Sequence, residues 1–352
     1  MKSSSKISID KDISRAQLID PEFYTSDNYF QATKNIFLKS WQFISHVNFI
    51  DTKLYPFLFL ENFIDEPLIL IKEKNIKILS NICTHRANIL CNKKHNSNII
   101  QCNYHGRTFD LNGVLKQAPG FKGVKNFPTE NDNLKQVPSK LWKNLIFSSI
   151  SNPINIDDAL RSIEMKLSSY PFDKLWYDKK NSNTFILDAH WALYCENYLE
   201  GFHVPFIHKG LNNDINFNNY KTELLDHGVL QYTENKSNSK SNQILDKNIY
   251  AYYYWIFPNL MLNFYNWGLS INIVEPISKN KTKIKFLSFP IEGVTQPKGT
   301  DSDLDIVEKE DQEVVLAVQR GIKSHLYNKG RYSTKHETGI HYFHRLLARY
   351  LV

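Results

Sequence analysis

The stretch Asn81 to Phe109, NICTHRANILCNKKHNSNIIQCNYHGRTF, holds Cys83-x-His85 and, after a 16-residue gap, Cys102-x-x-His105. Each pair fits a tight turn between strands, so two loops can close on one metal centre. Two thiolates and two imidazoles have two candidate occupants. Structural zinc sites usually pair Cys with Cys and His with His. Here each loop carries one of each, which suits a two-iron cluster with two thiolates on one iron and two imidazoles on the other. Neutral imidazoles remove negative charge, so the reduced form costs less and the potential rises to roughly −150 to +300 mV. Cys91 and His95 lie between the loops, out of register with both pairs. Cys91 reads as a small apolar residue, and His95, in NKKHNSN, as solvent-exposed.

A second constellation lies in HWALYCENYLEGFHVPFIHKG. Trp191, Tyr194 and Leu199 give an amphipathic helical start, and Asn197, Glu200 and His203 recur at three-residue spacing. His208 follows five residues after His203. On an unbroken helix those side chains would point about 140° apart. Pro205 disrupts the helix and lets both imidazoles turn toward one point. Two histidines and a carboxylate on one metal, with positions left open, form the facial triad of non-haem Fe(II) oxygenases. The late segment DLDIVEKEDQEVVLAVQRGIKS offers Asp303, Asp305, Glu308, Glu310, Asp311 and Glu313 as the carboxylate, and charge runs on helices are usually solvated, so composition does not choose among them.

The elements that must position these residues follow from the apolar pattern. Residues 1–35 form an N-terminal arm with helix-like spacing after Ser26. From 36 to 152 short β-branched and aromatic runs alternate with turn residues, as in WQFISHV, EPLILIKEK and LWKNLIFSSI, which predicts a small antiparallel β domain. From 153 to 352 the spacing predicts helices over 156–169, 189–200 and 303–323. Strands are predicted over 184–188, 249–257, 261–265, 269–276 and 281–289. Short turns between them predict an antiparallel sheet flanked by helices, an α+β fold. The polar stretch 213–243 reads as a loop or lid. In AYYYWIFPNLMLNFYNWG, alternation puts Tyr253, Trp255 and Phe257 on one face and pairs Tyr265 with Trp267. These rings suit ordinary sheet core, a pocket for an aromatic ring, or one for a quaternary ammonium held by cation–π attraction.

Composition bounds the class. The 352 residues carry 43 Lys and Arg against 36 Asp and Glu, a net charge of +7, and 42% are hydrophobic. The scattered lysines read as a solvated surface or as a docking face for an acidic redox partner, and no dense basic block points to nucleic acid. MKSSSKISIDKD lacks the apolar core of a signal peptide, and no 18-residue apolar run predicts a membrane helix, so the expected location is cytoplasmic. Four cysteines in so long a chain argue for metal binding over a disulfide framework.

CTHR…CNYHGRTFDLNG resembles the Rieske [2Fe–2S] motif, with Asn103 where Pro is common and Arg107 where Trp is common. ENYLEGFHVPFIH resembles the mononuclear-iron segment of Rieske non-haem iron oxygenase α subunits, and Glu310-Asp311 before Gln319-Arg320-Gly321 matches that family's late carboxylate. The resemblance covers nearly the whole chain. It implies a Rieske domain with Cys83, His85, Cys102 and His105 on the cluster, and a helix-grip catalytic domain with His203, His208 and Asp311 on Fe(II). It also implies that Glu200 links the iron site to a neighbouring subunit's Rieske histidine, matching His105, in a ring-shaped trimer, with Asn197 in support. The implied reaction is O2 activation that hydroxylates, dioxygenates or oxidatively dealkylates a small organic substrate. The chain carries no GxGxxG fingerprint or plant-type ferredoxin cysteines, so a separate NAD(P)H-dependent reductase or ferredoxin is the expected electron donor. The competing readings are a Rieske electron carrier without oxygenase activity and a zinc-stapled binding module.

Overall fold

The structure is a computed structural model that describes residues 7–236, 244–246, 248–294 and 304–351. It divides into two compact units, Phe37–Pro153 and the pairing of Met1–Ile36 with Ile154–Val352. Among the described residues, no helix is long and apolar enough to cross a membrane.

The smaller unit is all antiparallel. Strands β1 (Gln42–His46), β2 (Leu54–Phe59), β3 (Glu66–Lys72), β4 (Ile76–Ser80), β5 (Ile99–Gln101), β6 (Thr108–Asp110), β7 (Leu115–Gln117), β8 (Gln136–Val137), β9 (Ser139–Trp142) and β10 (Leu145–Ser148) form three small sheets. Their orders are β1-β10-β9, β2-β3-β4-β8 and β5-β6-β7. The central run of β3, Leu68 to Ile71, is entirely buried. Leu54, Ile69, Leu79, Ile100 and Phe109 form one core together with Cys83, Cys91 and Cys102. Cys91 is thus the apolar core residue its surroundings suggest. His95 departs from the expectation of full exposure. It is half-buried, its backbone pairs with Leu54, and its ring lies 3.7 Å from the Cys91 sulfur. A strand partner, not sequence polarity, fixes its position.

The larger unit is built on a seven-stranded antiparallel sheet. Its strands are β11 (Asp178–Leu187), β12 (Lys221–Leu225), β13 (Gly228–Glu234), β14 (Ile249–Ile256), β15 (Leu260–Tyr265), β16 (Gly268–Ser278) and β17 (Lys281–Pro290), in the order β11-β17-β16-β15-β14-β13-β12. The helices are α1 (Glu22–Thr25), α2 (Asp27–Lys39), α3 (Asp157–Lys166), α4 (Trp191–Tyr198), α5 (Val204–Ile207), α6 (Lys209–Asp214), α7 (Leu304–Gly321) and α8 (Thr338–Tyr350). The α+β class and the helix-flanked sheet match the expectation. Every residue of β15 is buried, because helices cover the sheet; α4 packs on β16 and α7, α3 on β13, and α8 on β12. Strands covered on both faces lose the alternation of one-sided sheets.

The predicted loop over 213–243 is corrected. Residues 221–225 and 228–234 form the hairpin β12–β13 at one edge of the sheet, in register from Lys221↔Tyr232 to Leu225↔Gly228. Polar edge positions such as Lys221 and Glu223 hid it, since an edge strand needs little apolar surface. Residues 237–243 of that stretch, and Asp303, lie outside the described residues.

Candidate active site

In the smaller unit two turns of the same construction face each other. The Cys83 N–H donates to the Asn88 carbonyl at 2.8 Å, and the Ala87 N–H returns to the Cys83 carbonyl at 3.0 Å. In the second turn the Cys102 N–H donates to Arg107 at 2.8 Å and the Gly106 N–H to Cys102 at 3.0 Å. Each turn needs a left-handed residue at its fourth step, filled by Ala87 (φ 54°) and Gly106 (φ 72°), and only the glycine takes that conformation without strain. The Asn81 side chain grips both the N–H and the carbonyl of Cys91 at 2.8 Å, which closes the first loop at its base.

These turns bring together the four residues of the first constellation. Both thiols are buried and the two imidazoles lie 4.7 Å apart, ring to ring. Burial pushes the Cys102 thiol up, but the N–H groups of Tyr104 and His105, with Cys83 and Asn88, outweigh it and hold the thiol below its ordinary value. Asn88 Nδ2 lies 3.6 Å from the Cys102 sulfur. Donors aimed at a sulfur favour a thiolate. His85 Nδ1 is buried without a hydrogen-bond partner. Burial, then the neighbouring His105, Arg107 and Arg86, keep the His85 ring below its ordinary pKa, hence neutral. A neutral imidazole with an orphaned nitrogen beside two buried thiols is a donor set fitted to an iron–sulfur cluster.

The second constellation is assembled in the larger unit. Helix α4 is shorter than predicted and ends at Tyr198, so His203 does not share its face with Asn197. His203 caps α5 at its start and His208 at its end. Pro205 sits in the first turn of α5, where its missing N–H costs nothing. The break therefore comes before His203, and Pro205 starts a new helix where it was expected to interrupt one. Gly201 allows the turn between them, because a Cβ there would lie 2.6 Å from the Tyr220 ring.

His203, His208 and Asp311 converge, with one donor atom from each within 4.8 Å of the others. His203 Nδ1 lies 2.6 Å from Glu200 Oε1, and the His203 N–H donates to Glu200 Oε2 at 3.1 Å. His208 Nδ1 lies 2.7 Å from Glu310 Oε2. Both Nε2 atoms then face Asp311 Oδ1, at 3.5 Å from His203 and 3.1 Å from His208. Carboxylates on the outer nitrogens fix tautomer and ring orientation, the usual support of metal-bound histidines. Burial pushes the His208 ring down, but its bonds to Asp311 and Glu310 outweigh that and leave its pKa raised. Two imidazoles and one carboxylate with an open side fit a mononuclear iron. Glu310 is the residue that sequence reasoning missed as a partner of His208. Its place beside Asp311 was visible, but its contact with a histidine 102 residues away was not.

Asn197, Glu200 and the three converging residues line one pocket. Its wall is aromatic, with Tyr198, Tyr220, Tyr250, Tyr253, Tyr265 and Phe286. Tyr253 and Tyr265 meet edge to face at 5.9 Å, and Tyr265 stacks on Trp267 at 5.2 Å. Trp255 and Phe257, which alternation grouped with Tyr253, are fully buried core around Phe343. Glu308 also lines the pocket and accepts a 2.6 Å bond from Tyr194. Described lining residues include three carboxylates, Glu200, Glu308 and Asp311, and no Lys or Arg.

The family model described as "Ring hydroxylating alpha subunit (catalytic domain)" matches residues 169–352, and that described as "Rieske [2Fe-2S] domain" matches 41–128. The choline monooxygenase of Arabidopsis thaliana is 27% identical over 345 residues, covering 93% of this chain and 80% of that protein. The carnitine monooxygenase oxygenase subunit of Escherichia coli K12 is 28% identical, covering 95% and 94%. A quaternary ammonium Rieske monooxygenase solved with L-carnitine superposes with a TM-score of 0.73 at 22% identity, over 96% of each chain. Naphthalene 1,2-dioxygenase from Rhodococcus sp. gives 0.71 at 14%, over 94% and 93%. These structural likenesses show the fold. With the catalytic-domain match spanning more than half the chain, this protein belongs to the Rieske non-haem iron oxygenase α subunits, oxidoreductases that use a [2Fe–2S] cluster and a mononuclear iron to oxygenate small organic molecules.

Proposed function

We propose that the chain oxidises a small quaternary ammonium compound, as the terminal oxygenase of a system whose electrons come from a separate NAD(P)H-dependent reductase or ferredoxin. Cys83, His85, Cys102 and His105 hold the cluster, and His203, His208 and Asp311 hold Fe(II). When bound, the cluster supplies single electrons and the iron supplies O2 activation.

The observation that carries the substrate reading is the pocket wall. Six tyrosines, among them Tyr198, Tyr220, Tyr253 and Tyr265, and the buried carboxylate of Glu308 line it, with no Lys or Arg among the described lining residues. Aromatic faces attract a cation that cannot hydrogen-bond, by about 0.5–2 kcal/mol per ring, and a buried carboxylate adds charge complementarity. The named activities of the choline and carnitine monooxygenases support the same class. A neutral polycyclic ring would gain nothing from Glu308.

The residues around the iron ligands keep order. Glu200 and Glu310 orient the two imidazoles, and Asn197 presents an amide to the pocket. Glu200 has a second role in this reading: in a ring-shaped homotrimer it joins His203 to the cluster histidine of a neighbouring subunit, His105 of that copy. A carboxylate between two imidazole N–H groups is a short hydrogen-bonded path for an electron.

The test is a single-turnover assay on Fe(II)-loaded protein with a dithionite-reduced cluster, mixed with O2 and choline, carnitine or naphthalene, with products read by mass spectrometry. Oxidation of a quaternary ammonium and none of naphthalene is expected. The reverse pattern would overturn the substrate class. Glu200→Gln is expected to retain both metals and lose turnover, and full-rate product formation in that variant would remove the bridging role.

A further inference from the structure

Arg107 occupies a place that neither function nor packing makes obvious. It directly follows the Gly106 of the second cluster turn, and its own carbonyl accepts the Cys102 N–H. Its side chain is only 3% exposed. Arginine is charged at any pH a protein survives, and burying that charge unpaired is expensive. The guanidinium lies over Phe121 at 4.4 Å and Phe127 at 5.1 Å. NH1 donates to Thr84 Oγ1 at 3.1 Å and lies 3.5 Å from Asp132 Oδ1. Its Nε has no hydrogen-bond partner. Thr84 is the residue between Cys83 and His85, and Phe121 meets the His85 ring edge to face at 5.1 Å. Arg107 therefore reaches from the second cluster turn to the middle of the first, with its charge only partly balanced by Asp132.

We propose that Arg107 is a positioning residue that fastens the two cluster turns together and, as a buried cation beside the [2Fe–2S] cluster, raises its reduction potential, with Asp132 as the opposing charge. The inference rests on the assignment of Cys83, His85, Cys102 and His105 as cluster ligands. Reduction adds one electron to the cluster. A fixed positive charge in a poorly solvated place stabilises that electron. The Asp132 carboxylate, 20% exposed and held by the Thr129 N–H and hydroxyl, takes part of that stabilisation back. The two side chains thus act with opposite signs.

The experiment is a dithionite titration of the full-length protein, followed by cluster absorbance and EPR, for wild type, Arg107→Leu, Arg107→Lys and Asp132→Asn, with iron and sulfide assayed in each. Arg107→Leu is expected to lower the midpoint by a tenfold change in the one-electron equilibrium, about 59 mV. Asp132→Asn is expected to raise it, and Arg107→Lys, which keeps the charge, to stay near wild type. If Arg107→Leu holds its cluster at the wild-type midpoint, the proposal is overturned. If that variant cannot hold a cluster, Asp132→Asn decides, and an unchanged midpoint there overturns it. A wild-type protein without sulfide would instead strike down the ligand assignment, before any variant is read.

Discussion

The two candidate metal sites are built in opposite ways. The cluster site in Phe37–Pro153 is two copies of one local turn, each closed by hydrogen bonds over four and five residues. The iron site draws His203 and His208 from either end of a four-residue helix and Asp311 from α7, about a hundred residues later. In the first, chain geometry near each cysteine sets the ligand positions. In the second, packing of α4 against α7 and against β16 of the sheet must set them. A locally built site tolerates change elsewhere, whereas a site assembled by packing fails when its supports move.

The sharpest challenge to that contrast is to remove each site separately. Cys102→Ser is expected to strip the sulfide and two irons and still bind one Fe(II). His208→Ala is expected to lose the single iron and keep the full cluster spectrum. Both should abolish turnover. Metal and sulfide analysis with EPR checks this, and loss of both centres in either variant would mean that the sites are not built independently.

The same contrast explains what could be read from the sequence. The four candidate cluster residues could be grouped from the sequence because they lie within 23 residues and their spacing is the turn itself. The helix-flanked sheet could be read because β14 to β17 follow one another with short connections. Asp311 could be chosen only by resemblance, since six carboxylates on one stretch have equal claims until the fold selects one. Glu310 stayed hidden because its partner His208 lies 102 residues away, and the edge hairpin β12–β13 because the outer strand of a sheet carries polar side chains that read as loop. Trp255 and Tyr253 show the limit of periodicity. They share a sheet face, but the helices above it turn one end of that face into core and leave the other as pocket wall.

Glu310 offers a graded test. It touches His208 on the side away from Asp311, so Glu310→Gln keeps a hydrogen bond but removes the charge that makes the imidazole a better ligand. Changes at such positions typically cost 10–100-fold in metal affinity, and that loss of Fe(II) affinity is expected here, measured by competition with a chelator. At the cluster, Asn88→Ala removes the 3.6 Å contact to the Cys102 sulfur and is expected to leave sulfide content unchanged, because backbone N–H groups remain. Equal losses at both centres would erase the distinction between a packed support and a local one.

His190 gives a subtler comparison through pH. It is fully buried at the start of α4, its Nδ1 accepts the Ala192 N–H at 3.3 Å, and its Nε2 has no partner. Phe23, Tyr24 and Phe30 press on the ring edge to face. Burial depresses its pKa to about 3, from 6.5 in an unfolded chain. Between those values the unfolded chain takes up a proton that the folded chain refuses, so stability is full above pH 6.5 and falls as pH drops toward 3. At pH 5 the loss is about 2 kcal/mol, at about 1.36 kcal/mol per unit. For a unit of this size that lowers the melting temperature by about 4–8 °C. The loss should fall on the larger unit and release the mononuclear iron before the cluster spectrum changes. His190→Asn keeps a capping acceptor but cannot take up a proton, so its melting temperature should lose this slope between pH 7 and 5, whatever the cavity costs in absolute stability. A slope unchanged in that variant, or a cluster lost first on acidification, would place the pH-sensitive support outside α4.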